Sequence, residues 1–217
     1  MNTSVRAATS PRRTQAERRQ ETIGLLIDAT IACLFELGYT HTTTQAVAQR
    51  AGLSQGAIFR HFASRQALLV ATTDSLADRF LRDYSEKLDA SRAAGQGDEI
   101  ELALRLLSEV TSSPAQIAWF ELQLAARTDA ALCEASRPIF LRSQQDDIAL
   151  AKRLFPALLG QVPMAVEVVQ LLIQIFHGLT LDAHIDQDPE KKTRMLSATV
   201  LIAKLTLQQF QHTALPK

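Results

Sequence analysis

Apolar residues recur at helical spacing along almost the whole chain of 217 residues, and no run shows strand alternation punctuated by turns. That restricts the fold to an all-α architecture. Across residues 15–37, Ile23, Leu26, Ile27, Thr30, Ile31, Leu34 and Phe35 follow i, i+3, i+4, i+7 spacing and define one amphipathic helix. Gly38 follows, where a left-handed helix end favours a residue without Cβ. Residues 65–91 carry a second long stripe of Leu69, Leu76, Phe80, Tyr84 and Leu88, broken by the small residues at 93–97. Further helices are predicted at 98–110, 115–127, 129–155 (interrupted or kinked at Pro138), 164–183 and 190–211. Ser113-Pro114, Pro163 and Asp188-Pro189 supply opening signals for three of them. With two short helices near residue 50, the expectation is about nine helices and no internal repeat.

The formal charge is zero, 23 basic against 23 acidic residues, but it is unevenly placed. Residues 1–65 hold eight arginines and four acids, a net of +4, which leaves −4 for the remainder. A cationic head on an anionic body suits a polyanionic partner for the head alone. The two cysteines, Cys33 and Cys133, lie far apart and form no CxxC, so a reduced, cytoplasmic chain is expected. The N-terminus is polar and Arg-rich, which reads as a flexible arm over 1–14 and not as a secretory signal. The most apolar stretch, 162–181, is interrupted by Glu167, Gln170, Gln174 and His177 and reads as a buried helix, with no membrane partner.

Residues 44–62 have the internal logic of a helix-turn-helix. Thr42-Thr43-Thr44-Gln45 fits a capping box, so a helix starts there and runs to about Arg50. Ala48 is small where two helices cross, and Gly52 tolerates positive φ in the turn. Ser54 caps a second helix that runs to about His61. Val47, Ala51, Leu53 and Ile58 point into a small core, leaving Gln55, Gly56, Ala57, Phe59, Arg60 and His61 outward. Such a face suits a major groove, and the bare pattern also fits an ordinary αα-hairpin.

Gly38-Tyr39, Thr42-Thr43, Val47-Ala48, Ala51-Gly52-Leu53-Ser54, Gly56, Ile58-Phe59, His61-Phe62, Arg65 and Leu68 resemble, in register and without a gap, the DNA-binding signature of the TetR/AcrR transcriptional regulators. The resemblance covers about residues 20–70. It implies a helix-turn-helix domain over 15–64, followed by a helical effector-binding and dimerisation domain over 65–217. It also implies a DNA-facing set: Thr43 and Thr44 toward phosphate, Gln45 toward base edges, and Ser54 at the start of the second helix. Gln55 would pair with an adenine, Gly56 would admit close backbone approach, and Ala57 would touch a thymine methyl. His61 and Arg65 would bind phosphate, while Phe59 stands where the family usually carries a Tyr and lacks its hydroxyl.

No Gly-rich phosphate loop, HExxH, GxSxG or paired-carboxylate arrangement is present in the sequence, so neither catalysis nor a cofactor is expected. His184, Asp186 and Asp188 alternate in a loop, a spacing that fits a helix cap better than a metal site. Trp119, Phe120, Phe140, Phe176 and His177 are candidates to line a cavity between helices. Arg127 and Arg142 are candidates to orient a ligand, and each fits a solvated surface residue equally well. The two most apolar C-terminal helices offer more apolar faces than one core can bury. Val169, Leu172, Ile173, Phe176, Val200, Ala203 and Leu207 are therefore the expected interface of a two-fold dimer. The expected activity is that of a ligand-responsive regulator, a repressor released from palindromic double-stranded DNA by a small-molecule effector. A helical protein-interaction module is the alternative, separable by salt-dependent binding to duplex DNA.

Overall fold

The computed structural model describes residues 14–95, 97–160 and 164–213, and all regular structure among them is helical. The expected arm, apart from Thr14, and Pro163 lie outside the described residues. The elements are α1 (Gln15–His41), α2 (Thr44–Ala51), α3 (Gln55–Phe59), α4 (Arg65–Ala93), α5 (Glu99–Thr111), α6 (Pro114–Ala126), α7 (Ala130–Leu154), α8 (Pro156–Leu159), α9 (Ala165–Asp182) and α10 (Pro189–Thr213).

Most helices start where a side chain satisfies orphan backbone donors. Thr14 and Glu17 form a reciprocal capping box on α1. Ser64 caps α4, Asp98 caps α5 and Asp129 caps α7. Ser113 caps α6 with Pro114 in its first turn. Gly38 (φ 75°) and Gly52 (φ 67°) both take the positive φ that ends a helical path at little cost only in glycine. Pro138 sits inside α7 without dividing it.

Three apolar clusters organise the packing. The largest joins α1, α2, α3 and the first half of α4 to α6 and the start of α7, through Leu26, Leu34, Val47, Ile58, Leu68, Leu76 and Leu122. The head is therefore seated on the body through one shared core, with α1 packed most extensively against α6. Leu88, Leu102 and Leu106 form a second cluster under Phe155. Leu104, Phe176 and Ala203 form a third, which pins α9 and α10 to α5.

The outer face of this last layer departs from expectation. α9 has the length and hydropathy of a membrane-crossing helix, yet only 11% of that span is buried, so it is not the core helix predicted. Phe176 and Thr180 face inward, while Leu171 and Ile175 are exposed. On α10, Leu201, Ile202 and Leu205 are exposed as well.

Candidate functional site

The starts of α2 and α3 form one polar edge. Thr43, not Thr42, occupies the N-cap of α2, its Oγ1 accepting from Ala46 N at 3.1 Å. The capping box expected from Thr42 to Gln45 does not form. Thr42 is buried and donates its hydroxyl to Gly38 O at 2.7 Å, because the chain turns at Gly38 and leaves that carbonyl within reach. Gln45 consequently sits one position nearer the helix start, with its side chain exposed.

Gln55, exposed at the start of α3, donates Nε2 to Thr44 Oγ1 at 2.7 Å. That bond joins the two helix starts and fixes the orientation of the amide. One N–H and Oε1 remain, the donor–acceptor pair that matches the major-groove edge of adenine. Ser54 is exposed in extended conformation and makes no capping bond. Gly56 is exposed and keeps this surface low, since an added Cβ would meet nothing nearer than Ser54 Oγ at 4.0 Å. Phe59, 51% exposed, gives the edge its one large apolar ring among the described residues.

Three residues assigned to the DNA-facing set are placed otherwise. Ala57 is buried beside Ile58, because positions 57 and 58 form the inner side of a helix of five residues; it has no surface for a thymine methyl. His61 is half-buried with Nδ1 enclosed and unpartnered, so that nitrogen is not presented to a phosphate. Arg65 is committed within the protein. Its Nε donates to Thr42 O at 2.7 Å and its Nη2 to Tyr39 O at 2.6 Å, and the guanidinium stacks on the Tyr39 ring at 4.5 Å. It is a positioning residue, fixing the first turn of α4 to the turn that launches α2.

Tyr39 continues the connection into the body. Its N–H donates to Glu121 Oε2 at 2.7 Å and its hydroxyl to Asp129 Oδ2 at 2.8 Å. A Cβ at Gly38 would come within 3.3 Å of the same Glu121 carboxylate, so glycine serves both the positive φ and the close approach. Arg65, Tyr39, Glu121 and Asp129 thus link the head to α6 and to the cap of α7. The sequence pattern missed this group because its partners are up to 90 residues apart.

A cavity of about 800 Å³ lies between α4, α5, α6, α7 and α9, with Leu159 of α8 and Ala203 and Thr206 of α10 also on its wall. Trp119, Phe120, Phe140 and His177 line it, as expected from sequence. Trp119 meets Phe80 and Phe140 edge to face at 5.8 and 4.9 Å, and Phe120 meets His177 at 5.2 Å. Phe176, adjacent to His177 and so rotated away on the helix, is 1% exposed between Leu104 and Ala203 and is not on the cavity wall. Arg127 is exposed at the end of α6 and does not reach the cavity. Arg142 is outside it too, paired with Asp74, Asp78 and Asp146 at 2.9, 3.3 and 3.5 Å.

The expected dimer residues are also largely turned inward. Val169, Leu172 and Ile173 line the cavity, as does Ala203, while Val200 packs on the α5–α9–α10 cluster. Each is turned toward the interior of the chain because α9 and α10 both lean on α5. The side chain of Leu207 lies outside the described residues. The outward apolar stripe is Leu171 and Ile175 on α9 with Leu201, Ile202 and Leu205 on α10.

Sequence reasoning passed over two polar groups on the cavity wall, Gln116 and Asp147. The signal was present: Phe140, Ser143, Gln144, Asp147, Leu150 and Ala151 share one helical stripe, and Asp147 is its only acid. Burial pushes the Asp147 carboxyl up to about 6, with the Asp146 charge adding to it. Burial pushes His177 down to about 4, so its imidazole is neutral at pH 7. An acid whose folded value lies above its ordinary value of 3.8 favours folding when protonated, and that advantage is lost as pH rises from 3.8 through about 6. Asp147→Asn is therefore expected to raise stability at pH 7.5 by about 1–3 kcal/mol and to be neutral at pH 3.5, read from denaturant midpoints at the two values.

The remaining chemical candidates are structurally occupied. Asp186 is paired with Lys191, and Asp188 with Arg194 and the start of α10. No group of three metal-ligating side chains gathers among the described residues. Cys33 is buried in the main core, and Cys133 packs half-buried against it.

Residues 26–72 match the bacterial regulatory proteins of the tetR family. An uncharacterized HTH-type transcriptional regulator of Mycobacterium tuberculosis, Rv2912c, is 30% identical over 198 residues, covering 88% of this chain and 97% of its own. The HTH-type transcriptional regulator CymR of Pseudomonas putida is 28% identical over 203 residues, covering 93% and 98%. A TetR transcription regulator from Haloarcula marismortui shares the fold with a TM-score of 0.65 at 20% identity, covering 86% of this chain and 98% of its own. The multidrug binding protein EbrR, solved in complex with imidazole, does so with a TM-score of 0.57 at 21% identity, covering 89% and 94%. With its N-terminal helix-turn-helix and its helical C-terminal part, the chain belongs to the TetR family of DNA-binding transcriptional regulators.

Proposed function

We propose that this regulator is a homodimeric repressor in the cytoplasm, released from a palindromic operator when a small molecule enters the cavity. The observation that carries this reading is the course of α4. Its first residue, Arg65, holds the turn into the helix-turn-helix, and about four to five turns later Phe80, Leu81 and Tyr84 form cavity wall. One rigid helix therefore connects the effector space to the DNA-binding edge. Residues 15–64 act as the reading head, and 65–217 sense and dimerise. The fold shared with a multidrug binding protein accords with a ligand-holding body.

Two heads on a two-fold axis must enter successive major grooves about one DNA turn apart. An effector that fits only one position of α4 shifts the protein toward that position and changes the separation. The outer stripe of α9 and α10, paired with its copy, closes a four-helix bundle and supplies the axis.

Selection of bound duplexes from a random pool tests the reading, the expected result being a palindrome. Gln55→Ala is then expected to relax base preference at one position in each half-site, a loss of about 1–3 kcal/mol per contact. Competition between the selected duplex and its point variants measures it. Uniform weakening on all sequences would remove Gln55 as a base reader.

A further inference from the structure

The cavity wall is chemically lopsided. Its titratable side chains among the described residues are Tyr84 of α4, Asp147 of α7 and His177 of α9; the wall residues of α5 and α6 include none. Tyr84 donates its hydroxyl to Ala103 O and is pushed up to about 12, and His177 is neutral. Near neutral pH one charge therefore faces the cavity, the Asp147 carboxylate. Its neighbour Asp146 is held in the ion-pair group around Arg142, while Asp147 has no hydrogen-bond or ion-pair partner among the described residues. A half-buried carboxylate in a largely apolar wall without a counter-charge is costly, and its environment favours any cation that enters. Gln116 is a second, independent polar signal. It is 2% exposed, it lines the same cavity, and its Nε2 is enclosed without a partner. Phe80, Trp119 and Phe140, in edge-to-face contact with one another, add aromatic, cation-compatible surface to an otherwise aliphatic-rich wall.

We infer that the cavity selects a hydrophobic organic cation, an amine carrying an aromatic or similarly apolar body, with Asp147 as its counter-ion. This deepens the effector role proposed above and rests on it for its regulatory meaning, but the binding chemistry stands by itself. Among the described residues the wall offers a carboxylate-bearing ligand no cationic partner, and Asp147 repels it. A neutral ligand of the same shape gains the apolar contacts and loses the ion pair.

The test uses three probes of one shape on the full-length protein without DNA: 4-phenylbutylamine, 4-phenylbutanol and 4-phenylbutyrate. The chain has one tryptophan, Trp119, on the cavity wall, so its fluorescence reports binding. The amine is expected to bind about tenfold or more tightly than the alcohol, and the carboxylate weakest of the three. Asp147→Asn is expected to bring amine and alcohol to equal affinity, with helical circular dichroism unchanged. Wild-type affinity for the amine is expected to fall about tenfold from pH 7.5 to pH 5 as Asp147 protonates, while that for the alcohol stays level; this needs no variant. A carboxylate that binds best, an amine that does not bind, or an amine preference that survives Asp147→Asn overturns the inference. Amine binding through Asp147 that leaves affinity for the selected duplex unchanged overturns the regulatory reading and keeps this one. Release of duplex by the alcohol as readily as by the amine does the reverse.

Discussion

Ile175→Glu combined with Ile202→Glu is expected to convert the proposed dimer to monomers and to lower operator affinity about 100-fold or more. Both side chains lie on the outer face of the protomer, 41% and 62% exposed, so the substitution leaves each protomer's core intact. In a two-fold bundle each position occurs twice, and about 1.5–3 kcal/mol of apolar burial is at stake at each large side chain. Four carboxylates enclosed in one apolar interface add a desolvation and repulsion cost of several kcal/mol. The effect on DNA follows from linkage: two joined heads bind about 10²–10⁴ more tightly than one through effective concentration alone. Sedimentation equilibrium and duplex titration measure the two outcomes. A wild-type protein that is monomeric at micromolar concentration, or that partitions onto lipid vesicles through α9, would overturn this assignment of the stripe.

The face chosen for that substitution was not legible in the sequence. The excess of apolar residues on 164–183 and 190–211 signalled that a second surface exists. Which residues form it depends on how α9 and α10 rotate against α5, and both helices are apolar around most of their circumference, so periodicity cannot fix the rotation. Val169, Leu172 and Val200 fell inward for that reason. Where one face is polar the pattern suffices: α1, α4 and α5 end within a few residues of their predicted limits. The same contrast holds at the DNA edge. Gly52 and Gln55 were readable because a short turn constrains them locally. Thr42 and Ala57 were misassigned by one helical position, which is enough to turn a side chain from solvent to core. Asp147 carried a signal, as the acid of an inward stripe, that was passed over, and its isolation depends on helices from across the body meeting around it.

Arg65 shows most sharply the difference between a family resemblance and a side chain in place, and Arg65→Ala is expected to act on stability and not on phosphate binding. The guanidinium makes two charge-assisted hydrogen bonds to Thr42 and Tyr39 carbonyls and one stack on the Tyr39 ring. Each such bond contributes about 1.5–3 kcal/mol and the stack about 0.5–1 kcal/mol, not fully additively. A net loss of about 2–4 kcal/mol is therefore expected in denaturant unfolding. Operator binding should weaken alike on all sequences, because the turn that orients α2 loosens. The slope of log affinity against log salt should stay unchanged, since no phosphate contact is removed. Arg65→Lys is expected to rescue poorly: one ammonium cannot present the two fixed donors of the fork or the planar face. Tyr39→Phe removes only the hydroxyl bond to Asp129. It should leave duplex affinity near wild type and blunt the response to the effector, because the ring and Arg65 stay while the tie to α7 is cut. Arg65→Ala protein with unchanged stability and a salt slope lower by about one unit per subunit would restore Arg65 to the phosphate and remove it from the link between cavity and head.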